Sequence, residues 1–328
     1  MLVPVIDLHN DLLSYLASGP SLSPYDAETK TSIDQMRKGN VRGSILVAFC
    51  PTPHKSLRKE MRVKNPEHQL KRQVDIFCKL PEKYPEAFSL TQKDGTIAIA
   101  LGIENCSTFI GEKEPLELGI RRFQRICRNV KPSYVSLTWN EENRLGGGTP
   151  TKKGLTEEGK VVIDLLGEHT TAIDLSHASD QLSMDVFNYL EHTKSPLKVI
   201  ASHANFRAIT DVPRNLPDEV AMEIARRGGV IGLTLIRSFI GPSDDYFFRH
   251  IEHALSKGWG NALALGADYF SKASLPEPVK KAFVEEHFFP RFPDASCYPS
   301  IQDEITRRFG QNVCKKMFFE NPSTLFFH

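Results

Sequence analysis

Eight short β-prone runs recur along the 328-residue chain, each followed by a stretch of helical character. They are VPVIDLH (3–9), VRGSILVAF (41–49), TIAIALGIE (96–104) and PSYVSLTWN (132–140), then TTAIDLSH (170–177), LKVIASH (197–203), GVIGLTLI (229–236) and ALALGAD (262–268). The runs are nearly continuous in apolar or small residues, the pattern of parallel strands covered on both faces. Between them lie amphipathic stretches such as EHQLKRQVDIFCKL, LELGIRRFQRIC, TEEGKVVIDLLGEH and PDEVAMEIARRG. The last two carry helix-start signals, Thr156 with acids behind it and Pro217 with Asp218. Eight strand–helix units predict an α/β fold of the (β/α)8 TIM-barrel type, as one domain over residues 1–328. The competing arrangement, an open doubly wound sheet, lacks a Gly-x-Gly-x-x-Gly turn after its first strand. Two stretches break the rhythm. RLGGGTPTKKG (144–154) reads as a flexible loop, and residues 269–300 read as a long insertion over the C-terminal mouth.

Charge and composition narrow the function classes. A formal net charge of +1 with no basic block argues against nucleic acid or an anionic membrane as partner. The opening MLVPVID has no signal-peptide pattern, and no apolar run is long enough to span a bilayer. The six cysteines are scattered and form no C-x-x-C pair, which suits free thiols in a reducing cytoplasm.

In a barrel the active site lies at the C-terminal strand ends. Metal-ligating side chains gather there: His9 and Asp11 after the first run, Glu104 after the third, His177 after the fifth, His203 after the sixth and Asp268 after the eighth. Residues two apart on an extended chain point the same way, so His9 and Asp11 can reach one ion. Three imidazoles with two or three carboxylates form a zinc ligand set, and six groups exceed what one tetrahedral ion needs. A central carboxylate, Glu104, could bridge two ions. Singly, a histidine ending a strand reads first as a satisfied polar residue, and DLSHAS and IASHAN read equally as capping turns. Placement at five strand ends favours ligands.

Over nearly its whole length the sequence resembles the membrane (renal-type) dipeptidases, zinc metallopeptidases of the amidohydrolase-like barrel class. The likeness runs through DLHNDLL, GIEN, VSLTWNEEN, the segment 154–233, LGAD and FFENPSTLFF. It implies that His9 and Asp11 hold one Zn²⁺, that His177 and His203 hold a second, and that Glu104 bridges the two. It implies that Arg214 grips the substrate's carboxylate and that Asp268 shuttles a proton. The implied activity is hydrolysis of small dipeptides, with tolerance of a C-terminal D-residue and some β-lactam hydrolysis. Family members often dimerise, which leaves a homodimer open.

Two departures stand out. Renal-type members carry histidine after "LT" on the fourth strand, where this chain has Trp139; Asn140 or Asn143 could donate a substrate hydrogen bond instead. Asp268 is followed by Tyr-Phe-Ser rather than Phe-Asp-Gly. An amidohydrolase for another small amide, ester or lactone is the alternative, and a barrel retained only for binding is a third. Elsewhere, His250 and His253 read as packing or surface residues of the helix before the eighth strand. Arg207 reads as an exposed helix residue, and His54, His68, His192, His287 and the basic stretch 55–64 as solvated positions. FVEEHFFPRF reads as a loop folded onto the barrel.

Overall fold

The structure is a computed structural model that describes residues 2–52, 65–272 and 286–326. Strands stand at all eight runs: β1 (Val5–Asn10), β2 (Val41–Phe49), β3 (Ile97–Glu104), β4 (Tyr134–Ser136), β5 (Ala172–Asp174), β6 (Val199–Ile200), β7 (Ile231–Leu233) and β8 (Leu263–Leu265). Every pairing is parallel, from β1 in sequence to β6, and from β7 through β8 back to β1. Between β6 and β7 one parallel bridge, Ala201 with Ile231, closes the ring. Its hydrogen bonds run from Ala201 N–H to Val230 O (2.9 Å) and from Gly232 N–H to Ala201 O (2.8 Å). The result is the expected (β/α)8 barrel, with a two-residue strand at Phe88–Ser89 paired beside β3.

Helices fill the crossovers, among them Pro66–Lys83, Leu116–Asn129, Glu157–Glu168, Asp180–His192, Asp218–Arg226 and Tyr246–Ser256. Thr156 caps the third of these by accepting the Gly159 N–H, and Glu157 and Glu158 set negative charge against its positive end. Its Val162, Ile163, Leu165 and Leu166 are buried. A small apolar cluster joins Ile6, Leu8, Ile45, Val47, Tyr134, Ala172, Ile200 and Ala264, drawn from six strands and the residues beside them; it fills the barrel interior. A second, larger cluster packs strands against helices.

Strands β4 to β8 are shorter than their apolar runs because their C-terminal ends leave the ladder. Asn105, His177 and Asp268, at or beyond strand ends, take left-handed backbone with φ of 75°, 69° and 61°. Such residues cost on the order of 1–3 kcal/mol each and gather at functional sites.

The glycine-rich loop corrects its expectation. Residues 145–149 are buried, and a Cβ on Gly148 would lie 1.7 Å from the Trp139 carbonyl oxygen. Close packing, not freedom, explains that glycine. Beyond β8, in the described part of 269–300, Phe288, Phe289, Phe292 and Tyr298 are buried, and Phe288 bridges to Ile236 past β7. Residues 273–285 of that segment, and His54 with the stretch 55–64, lie outside the described residues. No helix among the described residues is long and apolar enough to cross a membrane.

Candidate metal centre

The six groups read from the strand ends converge. His9, Asp11 and Glu104 each offer an atom within 4.8 Å of the others; so do Glu104, His177 and His203, and so do His9, His203 and Asp268. Glu104 belongs to two of these sets and presents different oxygens to them. Its Oε1 lies 2.8 Å from His177 Nε2 and 3.5 Å from His203 Nε2, while Oε2 lies 3.9 Å from His9 Nε2. Asp268 Oδ1 lies 3.7 Å from His9 Nε2.

Each histidine is anchored on its far side. His177 Nδ1 meets Asn140 Oδ1 at 2.7 Å, His203 Nδ1 meets Ser202 Oγ at 2.8 Å, and His9 Nδ1 meets the Tyr134 hydroxyl at 3.1 Å. An amide oxygen can only accept, so His177 carries its hydrogen on Nδ1 and turns the Nε2 lone pair into the cavity. Metal-bound histidines are held in this way, with the second nitrogen donating to a fixed partner.

The donor set suits divalent cations. His9 Nε2 and Asp11 Oδ1 are buried and have no hydrogen-bond partner among the described residues. His177 Nε2 and His203 Nε2 face each other at 2.9 Å, an arrangement that a shared cation would stabilise. Burial holds all three imidazoles toward the neutral, ligating form, with His9 lowered to about 3 by burial and by Arg214. Burial likewise lifts Asp11 to about 7, and lifts Glu104 and Asp268 well above the usual carboxylate range, with neighbouring carboxylates adding to the shift. Three crowded acids that resist ionisation together are the electrostatic complement of bound positive charge.

Arg214 lies at the same mouth, 8% exposed. Its Nη2 donates to His203 O at 2.9 Å and its guanidinium rests over the Phe239 ring at 5.6 Å. Its Nε has no partner among the described residues, so one donor edge is left for a ligand. Trp139 packs between Phe49 and His177, with ring centroids 5.2 and 5.9 Å away, and forms an aromatic wall beside one histidine.

Of the alternative substrate donors, Asn140 uses its amide oxygen on His177, while the Asn143 amide is fully engaged. Asn140 orients His177. Asn143 is 3% exposed; its amide donates to Leu137 O (2.7 Å) and Ser107 Oγ (3.2 Å) and accepts from Leu145 N–H and Gly146 N–H. It organises the glycine loop and has no donor left to offer. Arg207 sits in a turn rather than a helix, paired with Asp180 and donating to Pro213 O and Asn215 O beside Arg214. His250 and His253 are packing residues as expected: His250 accepts from Phe206 N–H and donates to Ile240 O, and His253 pairs with Asp218.

Residues that sequence reasoning missed lie one layer deeper. Asp7 accepts from His9 N–H, Ala267 N–H and the Tyr298 hydroxyl, tying β1 to β8. Asp174 does the same for β5 and β6 through Ser176 and Ser202. A signal was available, since both acids stand in an Ile-Asp-Leu triplet just before a site histidine, VIDLH and AIDLSH.

Comparison with known proteins agrees with this geometry. The family model described as membrane dipeptidase (peptidase family M19) matches residues 2–322. An uncharacterised dipeptidase of Schizosaccharomyces pombe is 24% identical over 338 aligned positions, covering 93% of this chain and 75% of the relative. The dipeptidase ataJ of Aspergillus terreus is 26% identical over 275, covering 74% of this chain and 66% of its own length. Among solved structures, a metallopeptidase from Rhodobacter sphaeroides liganded with a phosphinate mimic of the dipeptide L-Ala-D-Ala superposes with a TM-score of 0.77 at 19% identity, covering 99% of both chains. A barrel whose strand ends bring three histidines and three acids together, matched along almost all its length, belongs to the membrane dipeptidase family, peptidase family M19.

Proposed function

We propose that the chain is a dinuclear zinc dipeptidase that hydrolyses the peptide bond of small dipeptides, with room for a C-terminal D-residue. The observation that carries this reading is the pair of ligand triads sharing Glu104, with Arg214 and Asp268 at their edge. His9, Asp11 and Glu104 would hold one Zn²⁺, and Glu104, His177 and His203 the other. Bound there, two such ions lower the pKa of a water toward neutrality and polarise a carbonyl.

The chain's own residues do the rest. Arg214 binds the substrate carboxylate through its open edge, which orients the peptide and limits its length, since the carboxylate must lie close to the scissile bond. Asp268, held 3.7 Å from His9 Nε2, takes the proton from the attacking water as oxygen joins the carbonyl carbon. It then gives that proton to the departing amine as the C–N bond breaks. Trp139 and Phe49 exclude water from one side and supply an apolar surface for a substrate side chain. The L-Ala-D-Ala mimic held by the Rhodobacter relative supports this substrate class. Six unpaired cysteines support a reducing, cytoplasmic setting.

The test is a panel of L,L- and L,D-dipeptides, assayed with zinc and with chelator. Asp268→Asn is expected to lower kcat by about 10²–10⁴ while zinc content stays at the wild-type level. Full activity in that variant would remove Asp268 from the proton transfer. Hydrolysis of lactones or esters without peptides would favour the other amidohydrolase reading.

A further inference from the structure

Hydrogens beneath the centre can be assigned by counting. Asp174 is 2% exposed, and its carboxylate accepts from Ser176 N–H (3.0 Å), Ser202 N–H (2.8 Å) and the Ser202 hydroxyl (2.6 Å). A hydroxyl has one proton and two lone pairs. With its proton given to Asp174, Ser202 Oγ can only accept from its other neighbours. Those neighbours are His203 Nδ1 at 2.8 Å, Ser176 Oγ at 3.3 Å and His9 Nδ1 at 3.4 Å; Ser176 brings its own hydroxyl proton, so Ser202 Oγ faces donors on every other side. Tyr134 follows the same logic: its O–H donates to Leu8 O at 2.9 Å, so its oxygen accepts from His9 Nδ1 at 3.1 Å. Both imidazoles must then carry hydrogen on Nδ1 and a lone pair on Nε2.

Placement adds to this. His9 belongs to one triad and His203 to the other, so a single hydroxyl touches a member of each. Asn140 touches only His177. The Ser202 main chain is fixed as well, because its carbonyl oxygen lies 2.0 and 1.9 Å from where Cβ atoms on Gly232 and Gly266 would stand. Only glycine at those two positions lets the barrel close around it.

We propose that Ser202, with its proton drawn to Asp174, is a positioning residue for both halves of the centre, setting the tautomer of His203 in one triad and, together with the Tyr134 oxygen, that of His9 in the other. The inference rests on the two-cation reading for its consequence, which is that loss of the two oxygens, Ser202 Oγ and Tyr134 Oη, weakens both sites together. The tautomers themselves do not depend on that reading.

Two readouts test it on the full-length protein. In chelator-treated protein with ¹⁵N-labelled histidine, the ring-nitrogen resonances should place the hydrogen on Nδ1 for both His9 and His203. Ser202→Ala should turn His203 toward the mixed tautomers of an unconstrained imidazole, and His9 should follow when Tyr134→Phe is added. For that double variant, titration with Zn²⁺ against a chromophoric chelator should show both stepwise dissociation constants raised about 10–100-fold, the usual cost of losing a ligand's outer partner. Asn140→Ala should raise only one of them. If Ser202→Ala does not fold, Asp174→Asn serves in its place, because an amide donating to Ser202 turns the hydroxyl proton toward the imidazoles. Unchanged tautomers, or a loss confined to one site, would overturn the proposal. Wild-type protein that takes up fewer than two ions would defeat the two-cation reading, and the tautomer resonances would still judge Ser202.

Discussion

Replacing Arg214 by methionine should separate substrates with a free carboxylate from those without one. Methionine keeps an unbranched stem against the Phe239 ring and removes the charge and all donors. The guanidinium already spends Nη2 on His203 O, and its Nε edge is buried without a partner. Two charge-assisted hydrogen bonds from that edge to a carboxylate are worth about 1.5–3 kcal/mol each. Their loss amounts to roughly 3–6 kcal/mol, or about 10²–10⁴ in kcat/KM. Arg214 also acts through space on Glu104, Asp268 and the histidines, and that part falls on every substrate alike. The assay therefore compares a dipeptide with its C-terminal amide in wild-type and variant enzyme. The free dipeptide should lose about 10²–10⁴ while the amide loses less than about tenfold, because an amide offers no anion for the fork. Arg214→Lys should fall between, keeping charge without planar geometry. Equal losses on both substrates would refute the clamp.

Two further outcomes follow from packing. Gly148→Ala should destabilise the protein by about 1–3 kcal/mol, as overpacking does, because the new methyl meets the Trp139 carbonyl; Gly167→Ala, with open space around it, should gain about 0.5–1 kcal/mol in the same urea titration. Wild-type stability in Gly148→Ala would show that the loop gives way freely. Burial lowers His250 to about 4, so the unfolded chain binds a proton below about 6.5 that the folded chain refuses. Stability from this group is complete above pH 6.5 and is lost as pH falls toward 4, by up to about 3 kcal/mol. His250→Gln should flatten that part of the stability curve, and an unchanged slope would remove His250 as its source.

Much of the fold was legible because parallel strands covered on both faces write themselves as unbroken apolar runs. The six centre residues were legible because each stands where a run stops. What lay hidden acts inside the runs. Asp7, Tyr134, Asp174 and Ser202 occupy strand or strand-end positions, and their roles come from partners far away in sequence, as when Tyr134 meets His9. Only the repeated Ile-Asp-Leu before a histidine hinted at the two acids. Asn143 folds a loop where a ligand contact is expected, because a side-chain amide looks the same in sequence for either role. The three glycines read as freedom because sequence cannot show how near the Trp139 carbonyl passes. The helix expected at Arg207 does not form, because Phe206 and Leu216 pair across a turn.

The central claim is that five side chains hold two cations about a shared carboxylate. Anomalous diffraction from crystals grown with zinc tests it most directly. Two peaks are predicted in one cavity, one against His9 and Asp11, the other against His177 and His203, with a Glu104 oxygen on each. A single peak, or two that leave Glu104 bound to neither or to only one, would contradict it.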